Sequence, residues 1–164
     1  MRRVDEVLMI INPLPDLRVL EVGCGNGSVT VPLSKHLEAS GGVIDLFEYA
    51  VSAPDTVTAL PNVTLKLLGD DAQTIRVASR EYEAAVITDV MSRVRDPKAL
   101  LAACFHALEN SATLIVLCRE GVDDEAAIKE LLDATQYVAV NRIDMAEDAY
   151  MITAKKMHNW GHGL

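Results

Sequence analysis

Residues 19–30 read Val-Leu-Glu-Val-Gly-Cys-Gly-Asn-Gly-Ser-Val-Thr. An apolar, β-branched run stops at three glycines two apart, Gly23, Gly25 and Gly27, and a helix-like stretch follows. Glycine takes positive φ without steric cost, so this spacing predicts a tight turn between a buried strand over 17–22 and a helix over 28–37. Pro32 suits the first turn of that helix, where its missing N–H costs little. Such a turn brings backbone N–H groups to a helix N-terminus at the carboxyl edge of a sheet, where doubly wound proteins bind ligands.

The same alternation runs outward from the turn. Strands are expected over 43–47, 63–68, 84–88, 112–118, 137–143 and 150–154, with helices over 4–11, 97–108 and 123–135. A short helix over 52–60 and a brief one over 72–79 complete the reading. Asp96 and Pro97 stand where an N-cap and a first helical residue belong. The last two strands, separated by Met145-Ala146-Glu147-Asp148, read as an antiparallel hairpin. The fold class is α/β, a doubly wound sheet of seven strands.

Composition bounds the function. The 164 residues make about one domain, taken as 1–156 with a tail over 157–164. Half the residues are hydrophobic and only 4 % are aromatic, so the core is built from Val, Leu, Ile and Ala. Fifteen Lys and Arg against 24 Asp and Glu leave a net charge of -9, which argues against a nucleic-acid partner. Cys24, Cys104 and Cys118 are odd in number and widely spaced, so buried thiols are expected rather than disulfides, and no pair has metal-ligand spacing. No apolar run approaches a membrane span, and the N-terminus lacks the apolar core of a signal peptide. A cytoplasmic location without membrane attachment is expected.

Two carboxylates bear on the ligand. Glu48 falls at the end of the second strand, about 20 residues past the turn, where an acidic side chain can accept hydrogen bonds from both hydroxyls of a ribose. Glu21 precedes Gly23 by two residues and faces the turn. A carboxylate there repels a pyrophosphate and favours an ammonium or sulfonium. Two nucleoside cofactors therefore come into question, and the glycine spacing together with Glu21 weighs against a nicotinamide dinucleotide.

Taken together, these residues resemble the class I S-adenosylmethionine-dependent methyltransferases. Glu21, Gly23, Gly25 and Gly27 match the family's first motif, and Glu48 matches its ribose-binding acidic residue. Leu67-Leu68-Gly69-Asp70-Asp71-Ala72 resembles its third motif, in which Asp70 or Asp71 would reach the adenine amino group. Tyr82 to Pro97 resembles the family's small-molecule branch, and Ala149 to Lys156 its last strand. The resemblance implies a Rossmann-like seven-stranded sheet, mostly parallel with the last strand antiparallel. It implies S-adenosylmethionine as cofactor, held by Glu21, Gly23, Cys24, Gly25, Asn26, Gly27, Glu48, Tyr49, Asp70, Asp71 and Thr88. The implied activity is methyl transfer to a small molecule or a protein-bound group.

Several features depart from that pattern. Ser92-Arg93 replaces the branch's His-His pair, and Arg93 and Arg95 either bind an acidic substrate or are solvated charges beside Asp96. No catalytic residue follows from the sequence; Asp89 is a candidate by position alone. Only thirteen residues separate Glu48 from Asn62, and about sixteen precede the first strand, which leaves the acceptor site open or completed by another protein, including a second copy in a homodimer. A non-catalytic cofactor-binding or scaffold protein of the same fold is the alternative, with a nicotinamide-dependent oxidoreductase behind it. A corrin-pathway methyltransferase has no motif that selects it. Cys24, Cys104 and Cys118 are expected to pack, and His36 and His106 to lie at the surface or at helix caps. The tail, with His158, Trp160 and His162, is expected to be unstructured, and Trp160 is of a type that docks on a partner or over the cleft.

Overall fold

Strand β1 (Arg18–Val22) is buried at four of its five positions, with no alternation between faces. That pattern belongs to a central parallel strand covered on both sides. In the computed structural model, which describes residues 3–69 and 75–157, β1 lies between β2 (Val43–Glu48) and β4 (Tyr82–Thr88), parallel to both. Beyond β2 runs β3 (Val63–Leu67), and beyond β4 runs β5 (Leu108–Arg119), again parallel. A hairpin of β6 (Val138–Asp144) and β7 (Ala149–Lys155) closes the other edge, with β7 antiparallel to β5. The sheet has seven strands in the order β3-β2-β1-β4-β5-β7-β6. The winding reverses between β1 and β4, which puts the ligand-binding crevice at their carboxyl ends.

Helices cover the two faces. On one, α1 (Arg3–Ile10), α2 (Thr30–Glu38) and α3 (Asp55–Thr58) bury Val7, Leu33, Leu37 and Val57 against Val19, Ile44, Val86 and Ile115. On the other, α4 (Pro97–Ala107) and α5 (Glu125–Ala134) bury Leu100, Leu101, Cys104, Ile128 and Leu132 against Leu20, Ala85, Leu114 and Ile152. The expected caps form: Asp96 accepts from the Ala99 N–H at 3.0 Å with Pro97 behind it, and Asp124 accepts from the Ala127 N–H at 3.1 Å. His36 ties α2 to α1 through the Ile11 carbonyl at 2.8 Å. Lys156, mostly buried, donates to the Phe105 and Leu108 carbonyls at 2.8 Å each, a cation closing the C-terminus of α4.

Three elements differ from the sequence expectation. The brief helix over 72–79 does not form where it is described. Ile75 is buried, Arg76 exposed, Val77 half-buried and Ala78 exposed, a period of two in which Ile75 is drawn into the α4 core. Strand β5 starts at Leu108 rather than 112, because α4 runs straight into it and Leu108 pairs with Tyr82. The polar Glu109-Asn110-Ser111 stretch is absorbed by a register shift, with Ser111 at φ 71°. Helix α2 begins at Thr30, not Ser28, because Pro32 has no N–H to give the Ser28 carbonyl, which interrupts the run of bonds between the Val31 N–H on Gly27 and the Leu33 N–H on Val29. The glycine turn is continued by the Val31 N–H bonding to the Gly27 carbonyl. No helix among the described residues is long and apolar enough to cross a membrane, and none of their His, Cys, Asp and Glu groups could hold a metal ion.

Candidate functional site

Gly23, Gly25 and Gly27 all have positive φ, at 79°, 52° and 85°, but they serve different ends. A Cβ at Gly23 would lie 2.5 Å from the Thr88 carbonyl and 2.5 Å from the Val90 side chain. Glycine there lets the turn after β1 seat directly on the end of β4. A Cβ at Gly27 would lie 2.8 Å from Val57, so α3 packs against the turn. A Cβ at Gly25 would meet nothing within 4 Å. Gly25 and Asn26 are exposed, so a ligand can approach the backbone at that point.

Glu48 lies across from the turn, at the end of β2, and is buried. The Cys24 N–H donates to its Oε2 at 2.7 Å, which fixes the carboxylate. Its Oε1 is buried and has no hydrogen-bond partner. Glu21 is fully buried; its Oε1 accepts from the Thr30 hydroxyl, and its Oε2 has no partner. Burial, with a smaller push from the Glu48 charge, drives the Glu21 carboxyl up to about 8 against the Thr30 hydrogen bond. The Thr88 hydroxyl, at the end of β4, is likewise buried and unpartnered. Unpaired buried polar atoms cost stability, so three of them at the carboxyl ends of β1, β2 and β4 mark a place that awaits polar partners. The donor set suits a nucleoside with a cationic group: a fixed carboxylate for ribose hydroxyls, a backbone turn open at Gly25, and a second carboxylate beneath it.

The remaining candidates fall into place around this centre. Cys24 is buried beside Glu48, and burial with the neighbouring carboxylate pushes its thiol up to about 12, which suits packing rather than nucleophilic chemistry. Cys104 and Cys118 are fully buried in the core. The Tyr49 side chain, next to Glu48, is buried in the core cluster that includes Cys104, and its buried hydroxyl has no hydrogen-bond partner. Burial pushes that phenol up to about 12. Asp70, Asp71 and the tail from His158 onward lie outside the described residues.

Arg93 is a contact the sequence did not reveal. Its Nη2 approaches Glu48 Oε1 at 3.8 Å, and its Nε donates to the Asp89 carbonyl at 3.2 Å. It therefore faces the cleft instead of Asp96, which is spent on the α4 cap. Asp89 takes φ 54° and pairs with Arg119 at 3.9 Å. The sequence marked Arg93 only through its place in the replaced His-His pair; its contact with Glu48 was not legible, because that partner is 45 residues earlier in the chain.

Two cavities border the site. One of about 460 Å³ opens between α1, the glycine turn and α3, lined by Val4, Asn26, Gly27, Val31 and Thr56 among others. The other, about 220 Å³, lies between the turn after β4 and the start of α5, lined in part by Met91, Ser92, Val122, Ile128 and Leu131.

The family described as "Methyltransferase domain" matches residues 3–160. The ubiquinone biosynthesis O-methyltransferase of Parvibaculum lavamentivorans is 24 % identical over 106 residues, which cover 65 % of this chain and 42 % of that one. The chain thus spans less than half the length of that curated relative. Among solved structures, a SAM-dependent methyltransferase from Aquifex aeolicus aligns with a TM-score of 0.72 at 14 % identity, over 93 % of this chain and 88 % of that one. Phosphoethanolamine N-methyltransferase 2 of Haemonchus contortus, solved in complex with S-adenosyl-L-methionine, aligns with a TM-score of 0.73 at 10 % identity, over 93 % of this chain and 51 % of that one. At these identities the solved structures share the fold: the Rossmann-like sheet with its last strand antiparallel.

Proposed function

This chain belongs to the methyltransferase domain family, and on that premise we propose that it transfers a methyl group from S-adenosylmethionine to an oxygen of a small-molecule acceptor. The observation that carries the cofactor assignment is Glu48. Its Oε2 is fixed by the Cys24 N–H at 2.7 Å, while its buried Oε1 lacks a hydrogen-bond partner. A carboxylate so placed beside a glycine turn offers charge-assisted hydrogen bonds to a ribose. Gly25 and Asn26 would admit the cofactor to the backbone, and Glu21 would lie beneath its cationic part. Oxygen is chosen as the acceptor atom on the strength of the relative's name.

When bound, S-adenosylmethionine supplies a methyl group already activated by its sulfonium. What remains for the protein is alignment and exclusion of water. Gly23 and Val90 lock the glycine turn to the end of β4, so the two rims of the cleft are held in fixed register. No side chain needs to act as base if the acceptor arrives ionised.

The test is calorimetric titration of the protein with S-adenosylmethionine and with NADH, followed by incubation with methyl-labelled cofactor and a panel of phenols and carboxylic acids. The expected result is binding of S-adenosylmethionine alone and label transfer to at least one acceptor. Tight NADH binding without S-adenosylmethionine binding would overturn the cofactor assignment. S-adenosylmethionine binding with no transfer to any acceptor would favour a non-catalytic binding protein of the same fold.

A further inference from the structure

We infer that Arg93 is the acceptor-binding residue of this domain: it selects an anionic, apolar-bodied acceptor and becomes available when Glu48 turns to the cofactor's ribose. The inference rests on the cofactor assignment above and extends it to the substrate class.

Glu48 Oε1 is buried, with no hydrogen bond, and Arg93 Nη2 stands 3.8 Å from it. A ribose hydroxyl can reach that oxygen only if something moves. Glu48 cannot yield easily, since Oε2 is anchored to the Cys24 N–H inside the fold. Arg93 can: its side chain is 49 % exposed, against 4 % for Glu48, and it stands on the three-residue turn Met91-Ser92-Arg93. Its 3.8 Å approach to Glu48 is longer than a hydrogen bond, and the hydrogen bond it gives up in leaving is that of Nε to the Asp89 carbonyl at 3.2 Å.

The base of the side chain stays put. The Arg93 and Val94 N–H groups both bond to the Val90 carbonyl at 2.9 Å, and the Val90 side chain is buried against Gly23. Release of the guanidinium is therefore a local swing from a fixed turn. The turn also borders the 220 Å³ cavity, whose wall includes Met91, Val122, Ile128 and Leu131. That volume accommodates one aromatic ring. The two carboxylates on the wall are engaged by the backbone: Asp123 accepts from the Arg119 N–H at 2.7 Å, and Asp124 caps α5. An acceptor with its body in the cavity and its anion toward Arg93 would meet a planar fork shaped for carboxylate or phenolate oxygens.

Glu48 and the acceptor anion thus compete for one guanidinium, and ribose hydroxyls on Glu48 shift the competition toward the acceptor. Cofactor and anion bind with positive coupling, each raising the affinity of the other. S-adenosylhomocysteine, which lacks the sulfonium, isolates the Arg93 effect from simple attraction to a cation.

The test uses the intact protein, S-adenosylhomocysteine, and benzoate as the probe anion, all by calorimetry. Wild type should bind benzoate about tenfold more tightly with saturating S-adenosylhomocysteine than without it. Arg93→Met should lose that gain while binding S-adenosylhomocysteine as tightly as wild type or tighter. Arg95→Met, an exposed charge removed two residues away, should keep the gain. Equal benzoate affinity with and without S-adenosylhomocysteine in wild type, no benzoate binding at all, or a gain that survives in Arg93→Met would each overturn the inference. So would S-adenosylhomocysteine affinity reduced tenfold in Arg93→Met, which would make Arg93 a cofactor ligand. Failure of wild type to bind S-adenosylhomocysteine would overturn the cofactor assignment and this inference with it.

Discussion

Strand β1 begins and ends in opposite kinds of polar chemistry. At its start, Arg18 meets Glu81 and, at 3.3 Å, Asp45; its N–H donates to Glu83 at 2.8 Å; and its guanidinium lies 5.1 Å from the Tyr82 ring centre. The Tyr82 hydroxyl donates to Asp45 at 2.6 Å. The charges at this end are paired with one another across β1, β2 and β4. At the other end of the same three strands, Glu21 Oε2, Glu48 Oε1 and Thr88 Oγ1 are buried without hydrogen-bond partners, and Glu48 Oε1 has only the Arg93 guanidinium at 3.8 Å. One end is satisfied within the fold, and the other keeps buried oxygens without hydrogen bonds. A polar network at the edge of a sheet is therefore no sign of a site by itself; unpaired buried atoms beside an open backbone are.

The sharpest way to break this contrast is at the glycines, which look equivalent in sequence. Gly23→Val forces a Cβ to within 2.5 Å of the Thr88 carbonyl at φ 79°, so a loss of about 3 kcal/mol or more of stability is expected in chemical unfolding. Gly25→Val meets open space and carries only the backbone cost of about 1–2 kcal/mol, so it should stay folded yet lose cofactor binding. If the two variants are equally stable, the account of the turn is wrong.

Glu21 gives the next effect. Its folded carboxyl keeps its proton up to about 8, whereas the ordinary value is 4.5. The folded state therefore binds more protons than the unfolded state between those values. The stability this contributes is complete below about 4.5 and is lost as pH rises through about 8. Denaturant unfolding of the cofactor-free protein should show this fall, on the order of a few kcal/mol, and Glu21→Gln should flatten it. A cationic ligand favours the ionised carboxylate, so S-adenosylmethionine binding should release protons near pH 7, visible as a buffer-dependent calorimetric heat. A wild-type stability profile identical to that of Glu21→Gln would show that Glu21 is not held protonated.

Arg18→Met marks the small end of the scale. Arg18 is 40 % exposed, so its ion pairs are screened, and a loss of about 1 kcal/mol or less is expected, with no change in cofactor affinity. A change in affinity would mean that the two ends of β1 are coupled.

Much of this was legible in the chain because it is local. The glycine spacing, the apolar strand before it and the acidic residue closing β2 all lie within 32 residues, from Leu17 to Glu48, and each obeys a periodicity or a turn rule. The Asp96 and Asp124 caps follow from helix-end chemistry in the same way. Arg93 facing Glu48, Tyr49 turning into the core and Leu108 pairing with Tyr82 depend on residues brought together by the fold, and no local pattern encodes them. The segment around Ile75 failed for a related reason: burial of one side chain outweighed a weak helical preference.

The most direct measurement is calorimetric titration of S-adenosylhomocysteine into wild type and Glu48→Gln, each first shown to be folded by its unfolding midpoint. The amide keeps an acceptor for the Cys24 N–H and replaces the anionic oxygen offered to the ribose with a neutral NH2 donor. Wild type should bind at one site, and the variant should bind more weakly by about 1–3 kcal/mol. Equal affinities in two folded proteins would contradict the assignment of Glu48, and with it the claim that this end of β1 is completed by a nucleoside.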